Sequence, residues 1–145
     1  MRKLAVVLIP LLLLALVTGA VGCCGLSEAE KHYNAGVELQ EQGHLDEAIG
    51  EYDEAIRLDP QLTLAYLNRG AVYNEKNDFS KAITDFDKAI ELDPNLFEAY
   101  YNRGLAYAEL GEKAEAMADF EKVITLSDDP QVIEIAQQQI EKLSD

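Results

Sequence analysis

The sequence has no tryptophan, and its two cysteines, Cys23 and Cys24, stand side by side. Neighbouring residues cannot staple distant segments, so no disulfide framework is available. Whatever folds beyond Cys24 must be held by packing alone. Positive charge is also scarce: 12 basic residues against 27 acidic ones give a formal net charge of -15. That balance excludes a nucleic-acid binder, which needs clustered Lys and Arg against phosphate. It favours neutral or basic partners and would be repelled by an anionic bilayer. Alternation with a period of two is missing as well, so no sheet is expected. Disorder is not implied, because 48% of the residues are hydrophobic.

The constellations of catalysis are missing too. His32 and His44 have no second histidine or cysteine at ligand spacing, which excludes a zinc site. No serine sits in a nucleophile elbow, and no glycine-rich phosphate loop is present. A calcium loop would need alternating acids around a central glycine, and none exists. The acids are many, but most recur at a regular interval and fall on solvated faces. The sequence therefore implies no catalytic residue, no metal and no cofactor.

The first residues read as an address. Arg2 and Lys3 precede an apolar run from Leu4 to Gly22, the layout of an export signal over residues 1–22. A spanning helix kinked at Pro10 is also possible. The run ends in Thr18-Gly19-Ala20-Val21-Gly22-Cys23. Small residues before a cysteine resemble the lipobox of bacterial lipoproteins. In that family the cysteine sulfur takes a diacylglycerol thioether, and the signal is cut before it. The resemblance implies lipidation at Cys23, in a cell-envelope protein anchored on the extracytoplasmic side. Ala20 departs from the family pattern, where Leu is usual. An uncleaved signal anchor and plain secretion are the alternatives. Residues 23–28 make a short tether, and from Cys24 to Glu28 the chain reaches at most about 18 Å.

The strongest signal is an internal repeat. A shift of 34 residues brings Gly36, Gly70 and Gly104 into step, and likewise Ala48, Ala82 and Ala116. Tyr52, Phe86 and Phe120 coincide, as do Leu39, Tyr73 and Tyr107. The strings AIRLDP and AIELDP close the first two units. Small residues let paired helices approach closely, and the large rings fill the space between neighbouring hairpins. Gly43, Asn77 and Gly111 occupy turns that favour a left-handed backbone. Pro60 and Pro94 stop the second helices and push Asp59 and Asp93 out of helical geometry. First helices are predicted near 29–42, 63–76 and 97–110, and second helices near 46–58, 80–92 and 114–126.

This pattern resembles the tetratricopeptide repeat (TPR) family. The resemblance implies an all-α fold: a right-handed superhelix of three stacked antiparallel helix hairpins with a concave groove. The units are 29–62, 63–96 and 97–128. Arg69 and Arg103 depart from the usual Leu. Each stands sixteen residues before an acid, Asp85 and Asp119, and a pairing across one hairpin is expected. Residues 129–145 form a C-terminal capping helix, opened by Pro130 with Asp129 as its cap. Its expected buried stripe is Val132, Ile135, Ala136, Ile140 and Leu143.

In this family the first helix of each hairpin lines the groove. That places Tyr33, Leu67 and Tyr101 in one row, Val37, Ala71 and Leu105 in a second, and Glu41, Glu75 and Glu109 in a third. An aromatic and apolar face with an acidic margin suits a neutral or basic peptide or helix of another protein, free or bound to the membrane. Some members hold a chaperone's terminal carboxylate in a Lys, Asn and Arg clamp. Tyr33, Val37 and Glu98 stand where that clamp needs Lys, Asn and Lys, so a chaperone-tail adaptor is excluded. The expected function is a non-catalytic interaction scaffold. The alternative is a structural, self-associating envelope protein, and the oligomeric state is left open.

Overall fold

Seven helices account for most of residues 25–144, the part of the chain that the computed structural model describes. They are α1 Glu28–Glu41, α2 Leu45–Leu58, α3 Thr63–Glu75, α4 Phe79–Leu92, α5 Phe97–Glu109, α6 Lys113–Leu126 and α7 Pro130–Ser144. No strand occurs among the described residues. No helix among them is long and apolar enough to cross a membrane. The export segment 1–22 and Cys23 lie outside the described residues.

Local chemistry sets the helix ends. Ser27 and Glu30 make a reciprocal capping box at the start of α1: the Ser27 hydroxyl accepts from the Glu30 N–H at 3.1 Å, and the Glu30 carboxylate accepts from the Ser27 N–H at 2.7 Å. Inside each hairpin the chain reverses at Gly43, Asn77 or Gly111, with φ of +78°, +60° and +78°. The amide after each turn residue reaches back to Leu39, Tyr73 and Tyr107, which satisfies a carbonyl left free by the first helix. Between hairpins, Asp59 and Asp93 are extended, as their following prolines require. Their carboxylates then accept from the Gln61 and Asn95 amides at 3.0 Å each.

The three rings in step are the heart of the core. Tyr52, Phe86 and Phe120 are all fully buried. Each packs against the glycine of its own hairpin: a Cβ built on Gly36, Gly70 or Gly104 would meet ring carbon at 2.6, 2.7 or 2.9 Å. The rings also reach forward. Tyr52 packs with Val72, Phe86 with Ala99, and Phe120 with Ala136. The sequence expectation named only the second role. Among the described residues, the three apolar clusters run from Tyr33 to Leu143.

The helix layers are unequal. α1 touches α3, and α3 touches α5, whereas α2, α4 and α6 make no comparable approach to one another. The first helices therefore form the inner side of the curve. α7 lies along α6 and covers Phe120 through Val132, Ala136, Ile140 and Leu143. Ile135 does not join them. It is 46% exposed, because the residue beside a core-facing Ala136 stands about 100° round the helix.

Candidate functional site

The inner surface is built from α1, α3 and α5. Of its expected rows, Tyr33 and Tyr101 are half-buried. Each leans its ring against a core aromatic: Tyr33 on Tyr52 at 6.0 Å between centroids, and Tyr101 on Phe120 at 5.7 Å. The Tyr33 hydroxyl also accepts from the Asn68 amide at 3.1 Å. Leu67 corrects the expectation. Only 9% of it is exposed, and it packs with Tyr66 and Phe86 in the middle hairpin, where neighbours on both sides close over it. In the second row Val37 and Leu105 are half-buried against the core, and Ala71 is half-buried beside them.

Glu41, Glu75 and Glu109 form the exposed third row. They stand at the carbonyl ends of α1, α3 and α5, and none of these helices has a basic residue in its last turn. Helix dipoles add to the carboxylates there, and Lys76, which follows α3, is paired with Asp46, so this margin is negative. Gln40 ties Glu75 to the core. Its amide donates to Glu75 at 2.8 Å, and its oxygen accepts from the Tyr52 hydroxyl at 2.9 Å. Burial pushes the Tyr52 hydroxyl up to about 12. Near Glu109 a cleft of about 270 Å³ is lined by Asn74, Asn77, Phe79 and Leu105. The Asn74 amide donates to the Asn102 carbonyl at 3.1 Å, while its own oxygen is buried without a partner.

A second cleft, of about 220 Å³, lies between α5 and α7. Phe97, Glu98, Tyr101, Asn102, Val132 and Ile135 line it. Of these, Tyr101 is expected in the groove and Glu98 near its entry. The signal that finds the rest is geometric: α7 rests on α6 without a comparable contact to α5, and Ile135 faces the gap.

Behind the inner surface, arginine links the hairpins. Arg69 donates twice to Asp85, at 2.8 and 2.6 Å, and once more to Asp53 on the preceding hairpin. Arg103 repeats this with Asp119, at 2.8 and 2.7 Å, and with Asp87. The pairings with Asp85 and Asp119 are those expected. Asp53 and Asp87 lie sixteen residues before each arginine, a spacing equally readable in the sequence. Tyr100 and Tyr107 lie under the Arg103 guanidinium at 5.5 and 5.8 Å. Burial opposes the charge of Arg69, but the carboxylates outweigh it and raise its pKa; Arg103 is raised chiefly by Asp119. Burial also holds Asp85 above its ordinary value, against the pull of Arg69. The first hairpin has Ala35 and Glu51 at the corresponding places, and Glu51 meets His32 Nδ1 at 2.6 Å instead.

No group of three His, Cys, Asp or Glu side chains gathers at metal-holding distance among the described residues. What the inner surface offers is shallow apolar clefts, neutral amides and carboxylates, which is the chemistry of recognition.

Stacked helix pairs of this length and turn chemistry define a repeat protein, and its family is shown directly. A family model described as TPR repeat matches residues 36–76 and 70–111, and one described as tetratricopeptide repeat matches residues 97–130. The chain belongs to the tetratricopeptide repeat family. Among solved structures it is similar to the TPR domain of Arabidopsis OM64, with 29% identity and a TM-score of 0.75 over 79% of this chain and 95% of that one. It is similar to the TPR2B domain of yeast Sti1 in complex with pHsp70, with 28% identity and a TM-score of 0.76 over 81% and 96%. The second TPR domain of human RPAP3, in complex with the HSP70 peptide SGPTIEEVD, is 28% identical, with a TM-score of 0.74 over 81% and 96%. No curated protein matches the chain.

Proposed function

We propose that this chain is a non-catalytic interaction scaffold whose inner surface holds a segment of another protein. The observation that carries the reading is the inner surface itself. Half-buried Tyr33, Val37, Tyr101 and Leu105 offer apolar contact beside the exposed carboxylates of Glu41, Glu75 and Glu109. The similar domains of Sti1 and RPAP3 are solved in complex with pHsp70 and an HSP70 peptide, which supports a peptide-holding role for this shape. The occupant differs in charge. SGPTIEEVD ends in acids, whereas this chain sets Glu98 where a terminal-carboxylate clamp needs lysine. A neutral or basic peptide or helix fits its surface instead.

The test uses crosslinking in the native host and identification of what is captured. Because Tyr33 and Tyr101 lean on the core, removing them would confuse binding with folding. The exposed acids are the cleaner probe. Combined Glu41→Lys, Glu75→Lys and Glu109→Lys should leave helical content intact and abolish partner recovery. Retained recovery would sink the inner-surface reading. A clean monomer by light scattering at high concentration would remove the self-associating alternative.

The N-terminal string ending Val21-Gly22-Cys23 supports a second element of the proposal, a lipid anchor at Cys23 that holds the array in the cell envelope. α1 begins at Glu28, so the repeats would sit close to the bilayer and favour a partner that is itself membrane-bound. Cys23→Ser should move the protein from the membrane to the soluble fraction. Protein that stays with the membrane would point to an uncleaved anchor.

A further inference from the structure

The cleft between α5 and α7 differs from the rest of the inner surface. It is apolar on both walls, with Phe97 and Tyr101 on one side and Val132 and Ile135 on the other. Ile135 is the informative residue. It is a large apolar side chain, 46% exposed, on a helix whose Val132, Ala136, Ile140 and Leu143 pack against the core. At about 220 Å³ the space is smaller than the ~300–1,000 Å³ of sites for small organic ligands. It matches one large side chain of a polypeptide.

The charge at the mouth is also one-sided. Glu98 is the charged residue among the lining, and it is exposed. Two helix N-termini lie near, those of α5 and α7, and by themselves they would attract an anion. That positive potential is already met. Asp129 accepts from the Gln131 amide at 2.9 Å at the start of α7, and Glu98 stands in the first turn of α5. With Asp128 exposed beside Asp129, the mouth is negative and no lysine or arginine lines it.

We infer that the α5–α7 cleft anchors one large apolar side chain of a partner segment, and that a lysine or arginine next to it in that segment pairs with Glu98. The inference rests on the interaction reading above and assigns it a place and a specificity. The capping helix then serves recognition as well as closure of the core.

Fluorescence anisotropy with synthetic peptides tests this on the full chain. Three short peptides suffice: one with leucines each followed by lysine, one with glutamate in place of lysine, and one with serine in place of leucine. The Leu–Lys peptide should bind best. Ile135→Ser should weaken it roughly tenfold, and the exposure of Ile135 should leave the melting temperature little changed. Glu98→Lys should invert the preference toward the Leu–Glu peptide. Glu115→Lys alters net charge equally at the far end of the hairpin, on an exposed site of α6, and should not invert it.

Unchanged Leu–Lys binding in both cleft variants overturns the assignment. So does an equal effect of Glu115→Lys, which would mean general attraction to an acidic protein. If the Glu41, Glu75 and Glu109 reversal abolishes binding while the cleft variants do not, the wider reading stands and the cleft fails. If no peptide binds, the cleft assignment falls, and the crosslinking test still decides the wider reading. A synthetic peptide of residues 4–22 that displaces the Leu–Lys peptide would make the occupant internal and overturn a partner's role.

Discussion

Arg69→Leu is expected to lower stability by about 3–5 kcal/mol at neutral pH, as loss of one partner from a buried ion pair does. The cost arises at Asp85, whose side chain is 5% exposed and would keep its charge without the guanidinium that donates to it. Burial already raises the Asp85 pKa with Arg69 present. Without Arg69 it rises further. An acid whose folded pKa is raised is stable in its protonated form, so the penalty is present above that pKa and fades as pH falls through it. Urea unfolding of the variant and the native chain should therefore differ most near neutrality and converge in mild acid. Replacing both partners, Arg69→Leu with Asp85→Leu, should recover most of the loss, because leucine is common at the first position in related repeats and no charge is left behind. A single variant as stable as the native chain at pH 7 would remove the pair from any account of the fold.

Phe86→Ala should cost about 3–5 kcal/mol, since it empties a fully buried site that two hairpins share. Gly70→Ala should fail for the opposite reason. The added methyl would stand 2.7 Å from the Phe86 ring, and overpacking of this kind costs about 1–3 kcal/mol. Better helix propensity of alanine over glycine offsets up to about 1 kcal/mol of that. The two sites are coupled by contact. Gly70→Ala with Phe86→Leu should therefore be more stable than the sum of the single effects allows. Denaturant midpoints of the four proteins give the coupling, and strict additivity would show that the ring does not press on the glycine.

Much of this architecture is written locally. Gly43, Asn77 and Gly111 turn the chain where a positive φ is needed, and Asp59-Pro60 and Asp93-Pro94 end helices whatever surrounds them. Helix ends accordingly agree with the sequence expectation to within about one residue. The Arg69–Asp85 and Arg103–Asp119 pairs were legible for a similar reason, as a spacing that recurs. Exposure was harder. Leu67 occupies the same repeat position as Tyr33 and Tyr101, yet it is buried because hairpins flank it on both sides. Period alone cannot distinguish a middle unit from a terminal one. Ile135 failed the same way, since its fate depends on α7 choosing α6 over α5. The N-terminal address has its own logic of charge, length and a terminal cysteine, separate from packing.

The hairpins are joined by two kinds of link. Behind the inner surface, Arg69 and Arg103 each fork onto the acid of their own hairpin and reach the preceding hairpin through one charged bond, to Asp53 and Asp87. Along the inner surface, the corresponding links are mostly single amide bonds: Asn68 to Tyr33, Gln40 to Glu75, and Asn74 to a backbone carbonyl. Water can replace such amide contacts at a cost of about 1 kcal/mol each, whereas the charged clasps resist. Successive hairpins are therefore joined by charged bonds behind and mainly by amide bonds along the inner surface.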